Sequence, residues 1–111
     1  MNVSLRNAGV ISFGFQMALF LLMGCQYLFP PPDAFKAIRI GMSEEKAKEV
    51  LGAPSQEYDA KTAPADYYVQ GYEHPKRKIT NSVLIYIRGE WILYVYIDTK
   101  GIVEFTFTGG S

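Results

Sequence analysis

From Ile102 to Thr108 the chain alternates: Val103, Phe105 and Phe107 are apolar, and Glu104, Thr106 and Thr108 between them are polar. A period of two sends successive side chains to opposite faces of a strand, so this segment predicts a strand with one wet face. Upstream, Trp91 to Asp98 predicts a longer strand, with Trp91, Leu93, Val95 and Ile97 on one face and Ile92, Tyr94 and Tyr96 on the other. Asp98-Thr99-Lys100-Gly101 joins the two as a hairpin, its glycine able to take positive φ. Ser82 to Ile87 is a further strand, turned by Arg88-Gly89-Glu90, and aromatic-rich Asp66 to Tyr72 is another. Residues 55–65, polar and containing Pro64, read as a loop, and Glu73 to Lys78 as a charged turn.

The period changes before residue 55. Ser43 is an N-cap residue, Glu44 and Glu45 put negative charge in a first helical turn, and Gly52 stands where a helix ends, with Pro54 preventing continuation. Ala47, Val50 and Leu51 make the apolar stripe, onto which Met42 can staple. At about eight residues this helix cannot persist alone and must dock. A shorter helix is expected over Ala34 to Arg39, capped by Asp33, with Phe35 and Ile38 on one face and Gly41 as the break.

Two short helices followed by three or four antiparallel strands predict an α+β two-layer sandwich. The helices should cover one sheet face. The opposite face would stay open to a partner, with Tyr94, Tyr96 and Thr106 as its candidate contact residues. No internal repeat is visible.

The amino terminus has a different character. Arg6 is the only charge before an uncharged stretch from Asn7 to Gly24, and the apolar run closes on Leu22-Met23-Gly24-Cys25. A basic head, an apolar middle and a small residue at the cut describe a secretory signal peptide over residues 1–24. The last four residues resemble the lipobox of bacterial lipoproteins, which implies a diacylglycerol and an N-acyl chain on Cys25, here the chain's single cysteine. Residues 25–32 would then be a tether, its Pro30-Pro31-Pro32 run favouring polyproline II, and residues 33–111 the domain. Gln26 after the cysteine resembles the pattern that permits sorting to the outer membrane. Two other readings stay open. Ala8 to Phe29, about 22 residues or roughly 33 Å of helix, is long enough for an uncleaved span anchored in the inner membrane. Cys25 could also be an ordinary buried thiol.

Composition narrows the function. The chain has 11 Lys+Arg and 11 Asp+Glu. Without residues 1–24, which carry only Arg6, the balance is close to neutral, so no long-range field gathers nucleic acid. Export with one cysteine leaves stability to packing, oligomerisation or a partner. The one histidine, His74, sits in the charged turn without a second positioned group for nucleophilic catalysis or a metal site. Lys76-Arg77-Lys78 reads as a solvated turn or as a contact for anionic lipid headgroups. Glycine-rich phosphate motifs are absent.

Ile38-Arg39-Ile40-Gly41-Met42-Ser43-Glu44-Glu45, running into Val50-Leu51-Gly52-Ala53-Pro54, resembles the helix segment of the SmpA/OmlA family of small envelope lipoproteins. Tyr67-Tyr68-Val69, the hairpin from Val95 to Val103, and a lipobox leading into the first helix are similar to that family as well. The resemblance implies an αα-βββ fold, an outer-membrane anchor facing the periplasm, a scaffolding role in outer-membrane barrel assembly or envelope integrity, and no catalysis. Ile79 to Ile87 departs from the pattern as an additional strand or a longer hairpin. The fold also resembles the repeated unit of secreted β-lactamase inhibitors.

Two classes of function follow. One is a lipid-anchored scaffold that binds an envelope protein through a sheet face or by strand addition at a sheet edge. The other is a periplasmic module for a small ligand or lipid, using its aromatic strands as a shallow groove.

Overall fold

A computed structural model describes residues 29–111. The signal-peptide and Cys25 assignments lie outside the described residues. The chain divides into two units, Met1–Pro30 and Pro31–Ser111, and the fold belongs to the second. In order it comprises α1 (Asp33–Lys36), α2 (Glu44–Leu51), β1 (Gln56–Asp59), β2 (Ser82–Arg88), β3 (Trp91–Ile97) and β4 (Val103–Gly110). The strands form one antiparallel sheet in the order β1-β2-β3-β4, so the α+β class holds, with four strands and two short helices.

α2 follows its sequence signals closely. The Lys46 N–H donates to Ser43 Oγ at 3.1 Å, which caps the first turn. Gly52 ends the helix at φ +83° and ψ −161°, a conformation open essentially to glycine alone. The last carbonyls are taken from the sheet, where Arg88 Nη2 donates to the Leu51 carbonyl at 2.6 Å and the Tyr86 hydroxyl to that of Gly52 at 2.9 Å. Ala47 and Leu51 are buried, whereas Val50 is exposed: the stripe is one residue narrower than expected.

α1 is a single turn. Pro32 occupies the N-cap position and Asp33 is the first helical residue, making no capping bond with its side chain. Proline's fixed φ and the Phe35 N–H bond to the Pro32 carbonyl (3.0 Å) start the turn without one. Phe35 and Ile38 are buried as the pattern requires. They pack with Ala47 and Leu51 against Leu84, Tyr86, Leu93, Val95, Ile97 and Val103, with Met42 partly buried alongside.

The strand expected over Asp66 to Tyr72 is irregular, and the fourth strand is instead Gln56–Asp59, inside the segment read as a loop. β1 pairs Gln56 with Ile85 and Tyr58 with Val83. Its polar side chains hid it, because an edge strand with one short partner needs little apolar character.

β4 holds a second departure. Tyr96 pairs with Phe105 but Ile97 pairs with Val103, so Glu104 is an extra residue in the ladder. The bulge sends Val103 to the helix face while Phe105 and Phe107 join Tyr94 and Tyr96 on the opposite one. Strict alternation would have kept all three on one side.

Candidate functional site: the tyrosine face and its cationic recess

The sheet face away from the helices is covered by the chain between β1 and β2. That connection leaves β1 through an Asx turn, in which Asp59 Oδ1 accepts from the Lys61 and Thr62 N–H groups and from Thr62 Oγ1 at 2.8–2.9 Å. These bonds hold the Asp59 carboxyl below its ordinary range, Thr62 being the main contributor. The chain then crosses the sheet and lays Tyr67 over it, 7% exposed.

Tyr67, Val83, Ile85, Ile92, Tyr94 and Tyr96 form a second core. Each phenol in it is used. The hydroxyls of Tyr67 and Tyr96 hydrogen-bond to each other, and Tyr67 also donates to the Arg77 carbonyl at 3.2 Å. Tyr94 accepts from the Val69 N–H at 3.1 Å. Burial raises the pKa of Tyr94, of Tyr67, and of Tyr96, the last to about 12. Such phenols stay protonated at neutral pH and anchor the covering chain.

This corrects the candidate partner face. Tyr94 and Tyr96 are fully buried, and Thr106, paired with Val95, belongs to the opposite side of the sheet. The three residues do not form one surface. A monotonous run of tyrosines looked like an open face because the polar hydroxyl hides how much apolar ring each one buries.

Arg77 and Glu104 meet at the margin of the second core. The Arg77 guanidinium lies 4.4 Å from the Phe105 ring centroid and 5.7 Å from that of Tyr96, and its Nη2 is 3.8 Å from Glu104 Oε2. Arg77 Nε and Glu104 Oε2 are both buried without a hydrogen-bond partner, so the pair is held by charge and stacking. Tyr68 fixes the same stretch of backbone, its hydroxyl lying 3.4 Å from both the N–H and the carbonyl of Arg77. The Tyr68 ring stacks on His74 at 4.1 Å between centroids.

Between the two limbs of the covering chain lies a recess of about 530 Å³. Lys76, Arg77 and Lys78 line it together with Tyr67, Tyr68, Ala63 and Ile79. Among the described residues no carboxylate lines it. A second recess of about 440 Å³ lies beyond Tyr68, with Asp66, Tyr72 and His74 in its lining. The residues from 66 to 78 were legible as aromatic and basic, but their convergence was not, since it depends on a long connection folding back.

The two sheet edges differ. At the β1 edge Glu57 is paired with Lys48 at 3.5 Å, and the Asp59 carboxylate is committed to its turn. Along β4, Val103 bonds to Gly41 and Met42 outside the ladder, and the Gly110 N–H and carbonyl bond to Glu73. Antiparallel alternation between these points turns the backbone groups of Thr106 and Thr108 away from β3.

Among the described residues no three His, Cys, Asp or Glu side chains gather where they could hold a metal ion, and no helix is long and apolar enough to cross a membrane. No family model, curated protein or solved structure matches the chain.

Proposed function

We infer that the chain is a lipid-anchored envelope lipoprotein whose folded unit acts as a non-catalytic binding module of the SmpA/OmlA kind, at the periplasmic face of the outer membrane. One observation carries the reading: Leu22-Met23-Gly24-Cys25 ends an uncharged leader only a few residues before the folded unit begins at Pro31. A lipid there would hold the domain within about 20 Å of the bilayer on a stiff proline tether. The helix segment from Gly41 to Pro54, capped by Ser43 and closed by Gly52, supports the resemblance. The hydroxyls of Tyr67, Tyr94 and Tyr96 are taken up by structural bonds, which favours binding over chemistry.

The docking element in this reading is the β4 edge at Thr106 and Thr108, where an extended segment of an envelope partner adds a strand. Each open N–H and C=O supplies a directional bond to such a segment.

Intact-mass analysis of the purified chain tests the anchor. A mature chain beginning at Cys25 and carrying diacylglycerol with an N-acyl group is the expected result, with the Cys25→Ser variant lost from the membrane fraction. An unprocessed amino terminus, or a mature start without fatty acid, defeats it. Sucrose-gradient separation of the two membranes should place the lipidated form with the outer membrane, and recovery with the inner membrane would defeat the sorting assignment.

A further inference from the structure

We propose that the recess between the two limbs of the covering chain binds a small dissolved organic anion, a phosphate or carboxylate group carried on a flat apolar body. The inference is independent of whether Cys25 bears lipid.

Three observations combine. First, the charge is one-sided. Among the described residues Lys76, Arg77 and Lys78 line the recess and no Asp or Glu does. Arg77 is matched by Glu104 across the margin, while Lys76 and Lys78 make no ion pair among the described residues. Two lysines of the lining therefore remain available to an anion, which each can meet with charge-assisted hydrogen bonds.

Second, the backbone between those lysines is held in place. Tyr67 donates to the Arg77 carbonyl, Tyr68 contacts its N–H and carbonyl, and the guanidinium lies on Phe105. The lysines project from a fixed strip, so binding need not order the chain that carries them.

Third, the rest of the lining is apolar or aromatic. Tyr67 and Tyr68, with alanine, proline and isoleucine residues, line a space of about 530 Å³, ample for a ring-sized body and of the size that small-molecule sites occupy. An inorganic ion would leave this surface uncovered. A membrane headgroup would bring charge but no flat apolar body to the rings of the lining, which favours a ligand that enters from solution.

The test uses the full chain in nonionic detergent, titrated with phenyl phosphate, inorganic phosphate and phenol by isothermal calorimetry or by chemical shifts. Phenyl phosphate should bind saturably, at least about tenfold tighter than inorganic phosphate, because only it buries a ring. Phenol should bind no better than inorganic phosphate. The double variant Lys76→Ala/Lys78→Ala should weaken phenyl phosphate by about tenfold or more while its thermal unfolding stays unchanged, both side chains being exposed. Absence of saturable phenyl phosphate binding would overturn the proposal. So would equal affinity for inorganic phosphate, equal affinity for phenol, or indifference to the double variant. Binding confined to micelles doped with phosphatidic acid, with none to phenyl phosphate, would overturn it in favour of a lipid surface.

Discussion

The hydroxyls of Tyr67 and Tyr96 meet in a hydrogen bond inside the second core, although the residues lie 29 positions apart in the chain. Tyr96 stands on a central strand and Tyr67 on the connection that covers it, so this bond ties the cover to the sheet. Removing it with Tyr96→Phe keeps the ring, and Tyr67 retains the Arg77 carbonyl as acceptor. The expected loss is therefore about 1 kcal/mol, an ordinary hydrogen bond's net worth. Denaturant unfolding of Tyr96→Phe against the parent checks it, and a loss above about 3 kcal/mol would mean the phenol does more than pin the cover.

The same tyrosine sets an alkaline limit. Burial raises Tyr96 from its ordinary 10.0 to about 12 and raises Tyr67 and Tyr94 in the same direction. Below pH 10 the phenols are protonated in folded and unfolded chains alike, and their contribution is fully present. As pH climbs from 10 towards 12 the unfolded chain loses these protons first, so stability falls through that window. Thermal unfolding measured between pH 8 and about pH 12, with phenolate absorbance followed in parallel, should show the fall. Tyr96→Phe should flatten it, and an identical slope in parent and variant would refute the assignment.

Gly109 tests a close approach. A methyl group there would meet Glu73 Cβ at 2.8 Å and the edge of the Phe107 ring at 2.9 Å. Glu73 cannot simply swing away, because its N–H and carboxylate both bond to Gly110. Gly109→Ala should cost about 1–3 kcal/mol through overpacking, read as a lower thermal midpoint. Parent-like stability would show that the Glu73 segment yields freely.

Leu51 tests the other core. It is 4% exposed and packs beneath the sheet face that carries Leu93 and Val95. Leu51→Asp places an uncompensated charge there, at a cost on the order of 3–5 kcal/mol, comparable to the whole stability of a small domain. Circular dichroism should report an unfolded chain. A cooperative transition near the parent midpoint would refute the helix-sheet packing.

What the sequence made legible was local. Ser43, Gly52 and Pro54 punctuate α2, Asp98 and Gly101 the last hairpin, and the alternation of Leu93, Val95 and Ile97 fixed the helix-facing side of β3. Each is decided within a few residues. The rest was settled by distant pairing. β1 is a strand because Ile85 and Val83 offer it an edge. The bulge at Glu104 exists because Val103 must bond back to Gly41 and Met42 while Phe105 stays with Tyr96. The recess forms only when Tyr67 and Arg77, ten residues apart, are tied together. No periodicity encodes that.

The strand-addition reading is tested at Thr106. Its N–H faces away from β3, so a proline there removes no bond of the sheet ladder. Proline's fixed φ strains the strand a little, and edge positions are where sheets tolerate it. Thr106→Pro should therefore keep the native circular dichroism spectrum while losing any partner that adds a strand, since both the donor and the flat edge are gone. Thr106→Val changes the side chain but keeps the N–H, and should retain the partner. Affinity capture with the full parent chain and the two variants, compared protein by protein, separates the cases. A partner recovered equally with Thr106→Pro and with the parent would show that docking uses another surface, and a partner lost with Thr106→Val as well would assign recognition to the threonine side chain instead of the backbone.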